Sequence, residues 1–116
     1  MLKKENRLQK GRDFQKVFKS SRPVFIGNLS VRITQKPGGT MPSRFGFVVS
    51  NKVEKRSTRR NALKRRLRVA AREILPAVKS GLDIIVIVKS NFSYPYQLDE
   101  VREQLREALV KAKAFK

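Results

Sequence analysis

Two amphipathic helical patterns set around one β-branched apolar run predict an α+β domain. The expected architecture is a small mixed β-sheet with helices packed mainly on one side, in the order α-β-β(-β)-α-β-α. Three observations carry this reading. LDIIVIVK, Leu82 to Lys89, is a near-continuous β-branched stretch, as expected of an interior strand covered on both faces and consistent with parallel pairing. Leu63, Leu67, Ala70 and Ile74 recur on one helical face. Leu29, Val31 and Ile33 alternate with Asn28, Ser30, Arg32 and Thr34, the period of a half-buried strand.

Taken in order, residues 1–10 read as a basic, flexible arm, with docking beginning at Arg7 and Leu8. Gly11 to Ser21 reads as a short helix whose Phe14, Val17 and Phe18 share a face, and Pro23 blocks its continuation. Val24 to Lys36 is extended, with Gly27 as a point of bending or division. Pro37, Gly38 and Gly39 mark a turn, and Arg44 to Ser50 follows as a second strand, paired with the first as a hairpin. Ser57 or Thr58 is placed to cap a helix that ends near Leu75 or Pro76. After the β-branched strand, Ser90 to Tyr96 is a loop. Gln97 to Lys113 is a last helix with Leu98, Val101, Leu105, Leu109 and Ala112 as its core stripe. Its acids gather near the N-terminal end and Lys111 and Lys113 near the other, matching the helix dipole. The 116 residues suffice for a single domain, 1–116.

Charge then narrows the function. The chain carries a formal net charge of +19, a self-repulsion that a polyanionic partner relieves. Lys and Arg dominate Lys52 to Arg72, where Glu54 is the one acid. Asn61, Lys64, Arg65, Arg68 and Arg72 fall opposite the aliphatic stripe, so one helix would bury one face and present a cationic one. Nucleic acid is the expected partner through counterion release. A membrane surface is not, because the basic helix lacks Trp or Phe on its apolar face. A DNA-binding module is disfavoured, since no dimer or helix-turn-helix pattern accompanies the helix.

The chain has no histidine and no cysteine, which removes the commonest general base and every thiolate nucleophile or ligand. No protein catalytic or metal-ligating residue is therefore expected. No apolar run reaches transmembrane length and no secretory h-region opens the chain, so the expected compartment is the cytoplasm.

Several residues keep two readings. Phe14 and Phe18, four apart, are core or a stacking platform for unpaired bases. Ser50, Asn51 and Lys52, at a strand-to-helix junction, are a polar turn or part of a site. Lys89, at the end of the last strand, shares that ambiguity.

Specific pieces then accumulate in order: Arg7-Leu8, RDFQKVFK, VVSNKV, TRRNALKRRLR, GLDIIVIVK and a terminal amphipathic helix. In this order and spacing the chain resembles the bacterial ribonuclease P protein family across essentially its whole length. Two positions depart from that pattern: Ala62 stands where the basic helix usually has Arg, and Asn51 where the turn commonly has Lys. The resemblance implies a ribosomal-protein-S5-domain-2-like fold with a left-handed βαβ crossover. It implies an accessory subunit of an endoribonuclease whose RNA subunit, with Mg2+, removes the 5′ leader from precursor tRNA. The implied partners are the ribonuclease P RNA and precursor tRNA. The implied leader cleft comprises Phe14, Phe18, Ser50, Lys52 and Lys89. The implied surface for the catalytic RNA comprises Arg60, Asn61, Lys64, Arg65 and Arg68. The alternative is a ribosomal or ribosome-assembly RNA-binding protein with no part in catalysis.

Overall fold

The computed structural model of the protein describes residues 2–35 and 41–116. Helices α1 (Gly11–Ser20), α2 (Ser57–Ile74) and α3 (Leu98–Lys111) accompany strands β1 (Val24–Ile26), β2 (Leu29–Gln35), β3 (Arg44–Val48) and β4 (Leu82–Val88). The described strands form one sheet in the order β1-β2-β4-β3. Strand β4 runs antiparallel to β2 and parallel to β3. The sheet is thus mixed, as expected, and β3, α2 and β4 form a crossover unit.

Strand β4 sits in the middle because its sequence is apolar on both sides. Ile84, Val86 and Val88 enter a core with Leu63 and Leu67 of α2 and Val101, Leu105 and Leu109 of α3. Ile85 points the other way, onto Val17 of α1 and Leu8. Helices α2 and α3 therefore lie on one face and α1 on the other.

Three expectations need correction: the hairpin between β2 and β3, the cap of α2 and the extent of the last helix. The hairpin expected between β2 and β3 does not form, because β4 is inserted between them. A strand apolar on both faces gains more from two neighbours than from an edge position. The turn read at Pro37, Gly38 and Gly39, like Lys36, lies outside the described residues. The hairpin that does form joins β1 to β2, with Gly27 at φ 53 and Val24 opposite Val31. A Cβ at Gly27 would also lie 2.7 Å from Oε1 of Gln104, so both backbone and space demand glycine. The N-cap of α2 is Arg56 rather than Ser57 or Thr58, and no side chain caps it. Instead Glu54 Oε1 accepts the Arg56 N–H at 3.2 Å. The N-terminal segment meets the body at Leu2, Asn6, Arg7 and Leu8. Leu2, Asn6 and Leu8 are buried, Leu8 N–H donates to Phe45 O at 2.8 Å, and Arg7 bridges to Phe45 in parallel.

The last helix is shorter than the expected Gln97 to Lys113. Lys113 turns into the left-handed region at φ 59, and the tail returns to Val78 through an antiparallel bridge from Phe115.

Asp83 is a charged residue on an otherwise apolar strand, and it is 7% exposed. Register places it beside Arg44, which grips it with Nε at 2.9 Å and Nη2 at 2.8 Å. Arg44 also reaches Asp13 of α1 at 3.4 Å. The hydrogen bond from Arg44 to Asp83 chiefly raises the guanidinium pKa above its ordinary value, while burial opposes it. The guanidinium thus ties α1 to the sheet through two carboxylates. Replacing Arg44 by Ala should lower stability by about 2–3 kcal/mol, since a charged group keeps its burial but loses its partner. Urea unfolding measures this directly. An unchanged midpoint would show that the pair contributes nothing.

Candidate nucleic-acid interface

The sheet face under α1 is built in rows. Strand alternation puts Ser30, Arg32 and Thr34 of β2, Asp83, Ile85 and Ile87 of β4, and Arg44, Gly46 and Val48 of β3 on that face. Helix α1 crosses the strands along the row Gly46–Ile85–Arg32. Phe14 lies on Gly46, where an added Cβ would come within 2.5 Å of the ring. Val17 packs with Ile85. Phe18 meets Arg32, whose guanidinium carbon is 5.1 Å from the ring centroid. Arg32 also donates to Ser21 O at 2.8 Å, and Ser20 shares a hydrogen bond with Thr34.

The next row lies beside the helix rather than under it. It runs Val48–Ile87–Ser30–Phe25 from β3 to β1. With α1 as a wall, this row forms the floor of a shallow groove, half-buried at Val48 and Ile87 against the Val17–Ile85 cluster and closed at Ser30, which is 2% exposed. Phe18 at 41% exposure lines the wall, and Phe25 at 54% ends the floor. Ser50 and Lys89 follow two residues after Val48 and Ile87 by the same alternation, and both are exposed, as is Lys52 in the turn beyond.

The two Phe residues therefore separate. Phe14 is half-buried and partly structural, while Phe18 offers an accessible ring. Phe14 and Phe18 share one face of the sheet, while Ser50, Lys52 and Lys89 are exposed beyond the ends of β3 and β4.

The cationic helix face is a different surface. Asn61 and Arg65 are exposed, and Lys64 and Arg68 are half-buried. Arg60 folds back, donating from Nη1 to the carbonyls of Glu54 and Lys55 at 2.9 Å each. That bond holds the start of α2 against the preceding turn. The two surfaces meet at the N-terminal segment. A cavity of about 210 Å3 there is lined by Arg7, Leu8, Phe14 and Gly46 on one side and Arg68 on the other.

Sequence reading passed over two further candidates, Arg32 and Phe25, and gave no partner for Tyr94. Arg32 lies over Phe18. Phe25 is the ring at the end of the floor. Tyr94 carries the Arg59 guanidinium 3.8 Å above its ring. Tyr94 belongs to a network around the start of α2 in which Asn91 donates to Glu54 at 2.8 Å and Tyr96 donates to Asn91 at 3.0 Å. Burial raises the Tyr96 phenol above its ordinary range, and the Asn91 hydrogen bond opposes that rise. A preceding Arg59 gives no signal that a ring 35 residues on will lie beneath it.

The ribonuclease P family model matches residues 2–113. The chain belongs to the ribonuclease P protein family. A ribonuclease P protein component from Pseudanabaena is 40% identical over 116 residues, covering 99% of this chain and 97% of that one. One from Rippkaea orientalis is 36% identical, covering 97% and 90%. The fold is that of solved family members. The ribonuclease P protein of Staphylococcus aureus superposes with a TM-score of 0.80 at 26% identity, covering 97% of this chain and all of that one (100%). That of Thermotoga maritima gives 0.78 at 29% identity, covering 95% and 98%. Ribonuclease P proteins are subunits of an endoribonuclease, and this chain is one of them. The reading as a ribosomal or assembly protein is thereby set aside.

The packing of Phe14 on Gly46 sets how close α1 lies to the sheet. Gly46→Ala should force that ring outward and cost about 1–3 kcal/mol through overpacking. Combining it with Phe14→Leu should recover part of the loss in a denaturant titration. A double variant no more stable than Gly46→Ala would place the clash elsewhere.

Proposed function

We propose that this ribonuclease P protein binds the catalytic RNA through the cationic face of α2 and the 5′ leader of precursor tRNA along the groove beside α1. Asn61, Lys64, Arg65 and Arg68 form the RNA-facing surface, with Arg60 bracing its start. Phe14, Phe18, Ser50, Lys52 and Lys89 form the leader groove. The exposed Phe18 ring carries this reading: beside half-buried Val48 and Ile87, with exposed Lys89 and Lys52 past the strand ends, it suits an unpaired strand whose bases stack while its phosphates meet cations.

Hydrolysis belongs to the RNA subunit with Mg2+. Mg2+ is held chiefly by the RNA and the substrate in this reading; among the described residues no group of three or more acids converges. Asp13 and Asp83 are both engaged by Arg44. The protein's contribution is to hold substrate and RNA in register, which raises substrate affinity and lowers the Mg2+ concentration needed. The cytoplasm is its proposed place of work.

Two experiments test this. Mixed with a bacterial ribonuclease P RNA at low Mg2+, the protein should stimulate 5′-leader removal from precursor tRNA. No stimulation across a range of protein and Mg2+ concentrations would sink the proposal. Separately, Arg65→Ala with Arg68→Ala should weaken binding to the catalytic RNA and reduce the slope of log K against log[salt] by about two. A wild-type slope would remove that face from the interface.

A further inference from the structure

The loop between β4 and α3 is anchored on both sides and holds one ring in the open. Asn28, in the turn between β1 and β2, donates from Nδ2 to Ser90 O at 3.2 Å and to Asn91 O at 3.1 Å. Gln104 of α3 in turn donates to Asn28 Oδ1 at 2.8 Å. From the other side, Asn91 donates to Glu54, in the turn before α2, and accepts from Tyr96. Phe92 and Tyr96 are buried in the core that α2 and α3 share. Between them Ser93, Tyr94 and Pro95 are exposed, and Tyr94 stands 53% open. These anchors give the ring a fixed place beside the first turn of α2.

Arg59 occupies that place. Its guanidinium carbon is 3.8 Å from the centroid of Tyr94, and Tyr96 packs against Tyr94 with the two rings perpendicular. Other arginines near α2 spend their donors inside the molecule. Arg60 donates to the carbonyls of Glu54 and Lys55, Arg66 to Ala62 O at 3.2 Å, and Arg102 to Glu73 and Asp99. Among the described residues no carboxylate or carbonyl binds the Arg59 side chain. Glu54, the nearest acid in sequence, is already engaged by Asn91 and the Arg56 N–H.

A ring steadies a guanidinium without supplying an oxygen acceptor, so the donor fork of Arg59 stays open. Such a fork matches phosphate oxygens bidentately. Holding it in advance removes the rotamer freedom that the contact would otherwise cost on binding.

We propose that Arg59, held on Tyr94, binds a backbone phosphate of the catalytic RNA, so that the RNA surface of α2 extends past Asn61 onto the loop between β4 and α3. Arg59 is the contact and Tyr94 its positioning residue. This rests on the assignment of α2 to the catalytic RNA. Location favours that RNA over the leader. Arg59 lies on α2, and Phe92 and Tyr96 anchor the loop in the α2–α3 layer, whereas α1 lies on the opposite face of the sheet.

The test is a binding titration of the protein against a bacterial ribonuclease P RNA over a series of salt concentrations. Arg59→Ala should weaken binding and reduce the slope of log K against log[salt] by about one, the share of a single phosphate. Tyr94→Ala removes no charge. It should weaken binding about two- to tenfold, the ordering cost of one long side chain, and keep the wild-type slope. Tyr94→Phe, which keeps the ring face, should restore the affinity. In the double variant, Tyr94→Ala should add nothing to Arg59→Ala, because a positioning residue acts only through the group it positions. A wild-type slope for Arg59→Ala overturns the phosphate contact. Wild-type affinity for Tyr94→Ala, or a loss that persists in the Arg59→Ala background, overturns the role of the ring. Arg65→Ala with Arg68→Ala is the reference for the helix. If that variant also keeps the wild-type slope, the assignment of α2 falls and this inference with it. If it lowers the slope while Arg59→Ala does not, the assignment stands and the role of Arg59 is overturned. A loss seen only when the assembled holoenzyme binds precursor tRNA would place Arg59 against the substrate and overturn its contact with the catalytic RNA.

Discussion

A strand that is apolar on both faces has to be covered twice, and most of this architecture follows from that demand of β4. Ile84, Val86 and Val88 require one layer, which α2 and α3 supply, and Ile85 requires a second. Helix α1 supplies the second layer but is 10 residues long and lies across the strands. It covers the row of Ile85 and leaves the row of Ile87 beside it. The groove is thus a remainder: the part of the sheet face that one short helix covers only in part, with Val48 and Ile87 half-buried at the helix's side. Its polarity follows as well, since β3 and β4 run parallel and both end at Ser50 and Lys89.

Electrostatics divides the molecule in a complementary way. Many of the acids are engaged in holding the fold. Asp13 and Asp83 flank Arg44, and Glu54 joins the Asn91 amide to the entry of α2. Glu73 and Asp99 bracket Arg102. The hydrogen bond from Arg102 lowers the Glu73 carboxyl below its usual range, although so exposed a cluster adds little stability. Its effect is spatial. With Glu73, the one acid within α2, paired to Arg102 of α3, the cationic face of α2 holds no acid of its own, and a polyanion relieves such a charge.

Local patterns made part of this legible. The β-branched run announced β4, and its two-sided covering followed from composition alone. The aliphatic stripe placed α2, and Leu63, Leu67, Ala70 and Ile74 are all buried. What failed was whatever depended on partners distant in sequence. Nothing local says that β4 will enter between β2 and β3, and so neither the Arg44–Asp83 pair nor its link to Asp13 could be foreseen. Parity explains the missed Phe25. In one unbroken strand, Phe25 would share a face with Leu29 and Val31. The turn at Gly27 sets Val24 against Val31, and this reverses the alternation. A single glycine thus moves a ring from core to groove. The cap of α2 was misread for a related reason: the helix starts one residue earlier, after Arg56, whose own N–H is held by Glu54.

The docking of the N-terminal segment has a consequence for how these molecules behave toward one another. Any open sheet presents two rows of unsatisfied backbone groups that can recruit a second sheet. Here the β3 margin meets the N-terminal segment, with Leu8 N–H on Phe45 O and Asn6 Nδ2 on Ser43 O at 2.8 Å. The β1 margin is three residues long, and Lys111 engages the Phe25 carbonyl. Both sides discourage self-templating, and the net charge of +19 adds long-range repulsion. The sheet is thereby protected from accepting its own kind along its sides.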